Sequence, residues 1–306
     1  MSQVTEASAG GQGRSNRRLL ARLGRRELWR NLALIAPTIV IMLVFYVYPM
    51  ANLLVRSFSD PEAAGYTLTN YQHLLEEPAY AKVMLNTFEI SLTVTGITFL
   101  LGYPTAYLIN SQPADRRNLM LIAVLIPFWT SILVRTYAWM VLLQRRGALN
   151  TLLVQFGLIQ EPLELMYNRF GVLVGMVHIL LPYMILPLYS VMQGIDMDLI
   201  KAAENLGANP LQSFARVFFP LSLPGVGAGL SLVFILAVGF FITPALMGGA
   251  RETMIAQLIQ RLISILLDWE LGSALAFVLL AVVLIFFMLF NRLLGLDRLL
   301  GGGGSR

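Results

Sequence analysis

The amino-acid sequence predicts an all-α membrane protein with six transmembrane helices. The first sign is composition. Of 306 residues, 57% are hydrophobic and only 13% are charged, whereas a soluble domain carries about 25% charged residues. The second is length: six apolar windows reach the roughly 20 residues that a helix needs to cross about 30 Å of hydrocarbon. They are Leu32–Val55, Val83–Asn110, Asn118–Leu143, Gly171–Gln193, Leu223–Gly248 and Leu271–Leu294. The third is charge asymmetry. With the N-terminus inside, the inner segments hold 14 Lys and Arg and the outer segments hold 7, which places both termini in the cytoplasm.

Residues 1–31 form a basic cytoplasmic tail, with seven arginines between Arg14 and Arg30. This cluster acts as a topology or lipid-surface signal, and no basic stripe elsewhere points to nucleic acid. The first window exceeds the length of a signal-peptide core, and no small-residue cleavage site follows at Val47–Ala51. It therefore reads as a retained helix. The spans contain Pro37, Pro49, Pro104, Pro127, Pro182, Pro187 and Pro244. A proline in a span frees a carbonyl, which is tolerated only against protein or a water-lined cavity. Residues 32–294 make up the six-span domain, without an internal repeat. Residues 295–306 form a C-terminal cytoplasmic tail. Its end, Gly301–Arg306, matches a flexible expression linker and is set aside.

Several chemistries are excluded. The sequence has no cysteine, which removes thiolate metal sites, disulfides and cysteine nucleophiles. The two lysines, Lys82 and Lys201, lie outside any Gly-Lys-Ser/Thr cradle, so the chain cannot bind nucleotide as a P-loop. His73 and His178 are too far apart in sequence for an HExxH zinc site. No Gly-x-Ser-x-Gly elbow appears, and no cluster of His, Asp and Glu supports a membrane enzyme. The chain is expected to be non-catalytic, with no metal and no cofactor of its own.

The inner loop 196–221 carries the strongest local signal. Asp198 is placed to cap a short helix with Leu199, Ala203 and Leu206 on one face. Gly207 suits the left-handed residue that ends it, with Pro210 three positions beyond. A second amphipathic turn follows, with Leu211, Phe214, Val217 and Phe218 spaced to pack toward the membrane. Periodicity alone is equally consistent with a plain interfacial anchor and with a docking element.

The stretch Lys201-Ala202-Ala203, then Gly207, then Val217-Phe218-Phe219-Pro220 resembles the EAA loop of ABC importer permeases. The spacing agrees, with Lys201 where that family has Glu and Phe219 where it has Leu. LGYPTAYL (101–108), PFWTSILVRTYAWMVLL (127–143), HILLPYMILPLYSVM (178–192), LMGGARETMIAQLI (246–259) and TLTNYQHLL (67–75) are similar to the spermidine/putrescine importer permeases, specifically to the first of their two permease subunits. The resemblance implies a type I importer permease fold with a cytoplasmic coupling helix. It implies a second homologous permease, two ATPase subunits that bind ATP and magnesium, and an external solute-binding protein. By position, the ATPase-coupling residues are Lys201, Ala202, Ala203, Glu204, Leu206 and Gly207, with Glu204 one turn from Lys201 to supply the missing carboxylate.

Two charges lie within predicted spans, Glu89 and Arg135; with His178 they fall in one layer of the outer half. One reading is a structural Glu89–Arg135 ion pair with His178 hydrogen-bonded nearby. The other is a gate or substrate-contact layer. Trp129, Tyr137, Trp139, Tyr183 and Phe240 are placed to line a cation path, although Trp139 and Trp29 also suit interfacial belts. The expected substrate is a polyamine. A polycation site wants several carboxylates and the spans offer one, so another organic solute, such as an opine or amino-acid derivative, is the alternative. A secondary carrier is the rival class; it would need no coupling helix.

Overall fold

The computed structural model describes residues 33–59 and 65–294. The basic tail, Leu32 and residues 295–306 lie outside the described residues. Helices α1 (Ala33–Ser57), α2 (Thr69–Glu76), α3 (Pro78–Asn110), α4 (Ala114–Trp129), α5 (Ile132–Leu143) and α6 (Ala148–Gln155) form the first half. The second half contains α7 (Arg169–Gln193), α8 (Asp198–Asn205), α9 (Pro210–Val238), α10 (Ile242–Met247), α11 (Ile255–Ser264) and α12 (Trp269–Leu294). Among the described residues there is no β-sheet, and only an isolated bridge joins Ser59 to Tyr66. Five helices are long and apolar enough to cross a membrane, and a bent pair, α4 with the α5–α6 segment, makes up to six.

The core sits where α3, α7 and α9 pack together, with Ile90, Val94, Met176, Met184, Leu188 and Val233 fully buried. Small residues permit this contact. A Cβ on Gly225 would lie 3.2 Å from the Leu188 Cα and from the Pro187 carbonyl oxygen. The α9 backbone therefore rests directly on α7, as small residues allow between membrane helices. A second cluster joins α2, α11 and α12 around Leu74, Ile255, Leu262 and Leu275. Helix α1 touches the rest mainly along α12, and Ser57 is its one buried residue. A π turn at Leu43–Val47 leads into Pro49, whose ring would otherwise press on the carbonyl one turn earlier.

Two windows that read as single spans are interrupted. The third, a single window over Asn118–Leu143, consists of α4 and α5, and the axis turns by 97° between α4 and the α5–α6 segment at Thr130–Ser131. Pro127 removes a donor there, and α4 closes as a 3-10 turn over Ile126–Trp129. The fifth, expected over Leu223–Gly248, begins earlier, at Pro210, and ends at Val238. A break at 239–241 separates it from the short α10. Hydropathy averages over both breaks because the flanking residues are apolar.

Candidate coupling helix and charged layer

The short helix of the inner loop spans Asp198–Asn205. Its first turn differs from the expected Asp198 cap. The Asp196 carboxylate accepts the Asp198 N–H at 2.9 Å, and Asp198 accepts instead from Lys201 Nζ at 2.8 Å. That hydrogen bond, reinforced by the lysine's charge, holds the Asp198 carboxyl below the usual range and the Lys201 ammonium above its own.

At its other end the helix stops as the sequence predicts. Gly207 has φ +93°, its N–H donates to the Glu204 carbonyl, and the Ala208 N–H donates to the Ala203 carbonyl at 3.1 Å. These paired bonds satisfy carbonyls that would otherwise be orphaned, and they need a left-handed residue between them. Asn209 then opens α9: its side chain accepts from the Gln212 N–H, and the Gln212 side chain accepts from the Asn209 N–H.

The packing face of α8 is corrected. Ile200 and Ala203 turn inward, with Ile200 against the main core. Leu199 and Leu206 are exposed, Leu206 by 90%, and Ala202 is exposed between them. Positions i, i+3 and i+7 share one helical face, so Leu199, Ala202 and Leu206 form an apolar stripe that no described residue covers. Leu211 is also exposed rather than packed, whereas Phe218 is buried and Phe214 and Val217 are half-buried. Lys201 and Glu204 flank the stripe, and among the described residues Glu204 makes no ion pair.

This loop is tied to the bundle by aromatic contacts of Phe214 and Phe218 with Tyr103 and Tyr107, two partners that the sequence reading did not single out. Phe214–Phe218 forms a π turn inside α9. The Phe218 ring lies 5.0 Å from Tyr107, Phe214 lies 5.5 Å from Tyr107, and Tyr103 sits edge-on to Phe214 at 6.1 Å. The Tyr103 hydroxyl meets Ser222 Oγ at 2.9 Å in a buried hydrogen bond. The available signal was spacing: Tyr103/Tyr107 and Phe214/Phe218 are each four apart, on one face of a helix.

The charged layer divides into two levels. Glu89 does not pair with Arg135; it pairs with Arg169 at 2.8 Å, at the first residue of α7. Arg169 was missed because the predicted span began two residues later. Glu89 is 65% exposed at its side chain and lines a cleft of about 620 Å³ with Lys82, Asn86, Arg251 and Thr253. Asn86 donates to the Arg251 and Thr253 carbonyls, and Thr87 Oγ1 accepts the Ile255 N–H at 2.8 Å. These bonds clamp the 251–255 segment to α3.

His178 lies nine residues further along α7, about 13 Å deeper at the helical rise. Its Nδ1 and the Arg135 Nε are buried without hydrogen-bond partners, so the expected bonding of His178 in the layer does not form. Trp139 packs edge-on against His178 at 5.6 Å. Tyr183 stacks obliquely on Phe128 at 4.9 Å. Trp129 and Tyr137 are exposed, and Phe240 is half-buried at the break after α9.

A bundle of kinked, apolar helices with an exposed apolar stripe on one connecting loop describes an all-helical membrane protein. The family described as "Binding-protein-dependent transport system inner membrane component" matches residues 29–296, and the chain belongs to it: it is an ABC importer permease. PotB, the spermidine/putrescine transport system permease protein of Escherichia coli K12, is 38% identical over 244 residues, spanning 78% of this chain and 88% of PotB. The Haemophilus influenzae PotB is 38% identical over 262 residues, 82% and 91% of the two chains. A chain of a bacterial ABC transporter involved in the import of the acidic polysaccharide alginate matches with a TM-score of 0.71 at 20% identity, covering 90% of this chain and 98% of that one. That likeness is one of fold. Permeases of this family are non-catalytic inner-membrane proteins that bind no cofactor. Separate ATPase subunits handle ATP, and a periplasmic binding protein belongs to the complex.

Proposed function

We propose that this chain is the permease of a polyamine importer, forming half of the substrate pathway beside a second homologous permease. The mechanism rests on one observation: the uncovered stripe Leu199, Ala202 and Leu206 on a helix whose end is fixed by Gly207. Apolar side chains on a loop outside the spans call for a groove. Two cytoplasmic ATPases supply one for each permease, with Lys201, Ala202, Ala203 and Glu204 at the contact. Closure of the ATPases on ATP moves α8. The Phe214 and Phe218 contacts to Tyr103 and Tyr107 carry that movement into α3 and α9. The excess of Lys and Arg on the α8 side supports a cytoplasmic position for both termini.

The polyamine substrate is supported by 38% identity to PotB over most of both chains. A second reading, another small organic solute, is favoured by the charge count: Glu89 is the one carboxylate within the six apolar windows of the sequence, and Arg169 pairs with it. The complex reconstituted with its matching binding protein separates the two. Spermidine or putrescine should raise the ATPase rate severalfold while an opine leaves it at the basal level. The opposite pattern selects the second reading, and uptake independent of ATP contradicts an importer.

A further inference from the structure

The third hydrophobic segment leaves the helix at membrane depth. Its halves meet at Thr130–Ser131 with a 97° bend, and Trp129, Thr130 and Ser131 are all exposed. Backbone outside a helix is tolerated at that depth only against protein or water, because lipid tails offer no hydrogen bonds. Four residues past the break, in the first turn of α5, stands Arg135. Its Nε is buried without a partner, and among the described residues its guanidinium makes no ion pair.

A cation kept in a span is paired or lines a polar route, and among the described residues no carboxylate pairs with it. Glu89 pairs with Arg169 at 2.8 Å, and the other described acidic residues lie outside the six apolar windows. α5 runs Ile132–Leu143, so Arg135 stands eight residues, about 12 Å of helix, from its C-terminal end. Beside Arg135, α5 exposes Leu133, Val134 and Tyr137, an apolar surround of the kind a protein partner covers.

We propose that the second membrane subunit of the importer covers this break and places a carboxylate on Arg135. The guanidinium fork suits a two-point bond to a carboxylate, which would fix the register of the two subunits at mid-membrane. This pairing rests on the importer-permease reading above; a polycationic substrate cannot itself supply the charge.

The test exploits opposite signs in two states of the same chain. Purified alone, Arg135→Met should melt at or above the wild-type temperature, because an unpaired charge has been removed. Co-expressed with the rest of its transporter, tagged Arg135→Met should recover at least fivefold less of the second membrane subunit than wild type. Arg135→Lys should retain at least half. Undiminished recovery with Arg135→Met would overturn the proposal. So would a lower melting temperature of that variant alone, which would mean that Arg135 is satisfied within its own chain. A wild-type chain that recovers no second membrane subunit would instead overturn the importer reading itself.

Discussion

Gly207→Val is expected to leave the chain in the membrane at near wild-type abundance while lowering ATP-driven uptake at least tenfold. The position has φ +93°, and a Cβ built there meets nothing within 4 Å. The cost is therefore conformational rather than steric against neighbours. A left-handed backbone costs an L-residue about 1–2 kcal/mol, and a β-branched side chain is a genuine outlier there. Relief of that strain breaks the Gly207-to-Glu204 and Ala208-to-Ala203 bonds and re-aims Leu206. A loss of about 1.4 kcal/mol in docking is already tenfold in affinity. Co-purification of the ATPase subunit and uptake into vesicles measure the two effects. Gly207→Asn should be milder, because asparagine tolerates this conformation. Normal uptake by the valine variant would reduce α8 to a membrane anchor.

Glu89→Gln should produce the other large effect, at least a tenfold loss of uptake with little change in stability. The Glu89–Arg169 pair is partly exposed, 65% and 36% at the two side chains, and such pairs contribute about 0–1 kcal/mol to stability. A large loss of uptake without unfolding therefore reports a role in transport. Glu89 borders the cleft beside Arg251, where, on the polyamine proposal, an arriving cation would compete with Arg169 for the carboxylate. At 100 mV, inside negative, a trivalent cation gains about 7 kcal/mol on entry, so on that proposal the carboxylate would serve recognition rather than drive. The double swap Glu89→Arg with Arg169→Glu should be stable yet inactive. Full uptake by the swapped pair would show that the two charges merely hold α3 to α7.

Features set by local rules were legible in the sequence. Proline, glycine and spacing placed the end of α8 at Gly207, because a left-handed residue followed by Asn-Pro has few alternatives. Apolar runs located the long helices for the same reason. What escaped was fixed by partners distant in sequence. Glu89 chose Arg169 over Arg135 because α7 begins at Arg169, beside the outer part of α3. The breaks at Thr130–Ser131 and 239–241 are invisible to hydropathy, since Trp129, Ile132, Phe240 and Phe241 keep the average high. The inward face of α8 was misjudged by one position: Ile200, not Leu199, meets the core. Helical period gives the width of a face but not which side the bundle takes.

The role of α8 as the ATPase contact is tested most directly at its tip. The chain contains no cysteine, so Leu206→Cys introduces a unique thiol at a residue that is 90% exposed. In the complex assembled with its ATPase subunits, a thiol-linked photo-crosslinker at that position should capture an ATPase subunit. A membrane-impermeant thiol reagent added to the outer face should fail to reach it. Labelling from the outer face, or capture of the solute-binding protein in place of the ATPase, would contradict both the orientation and the coupling role.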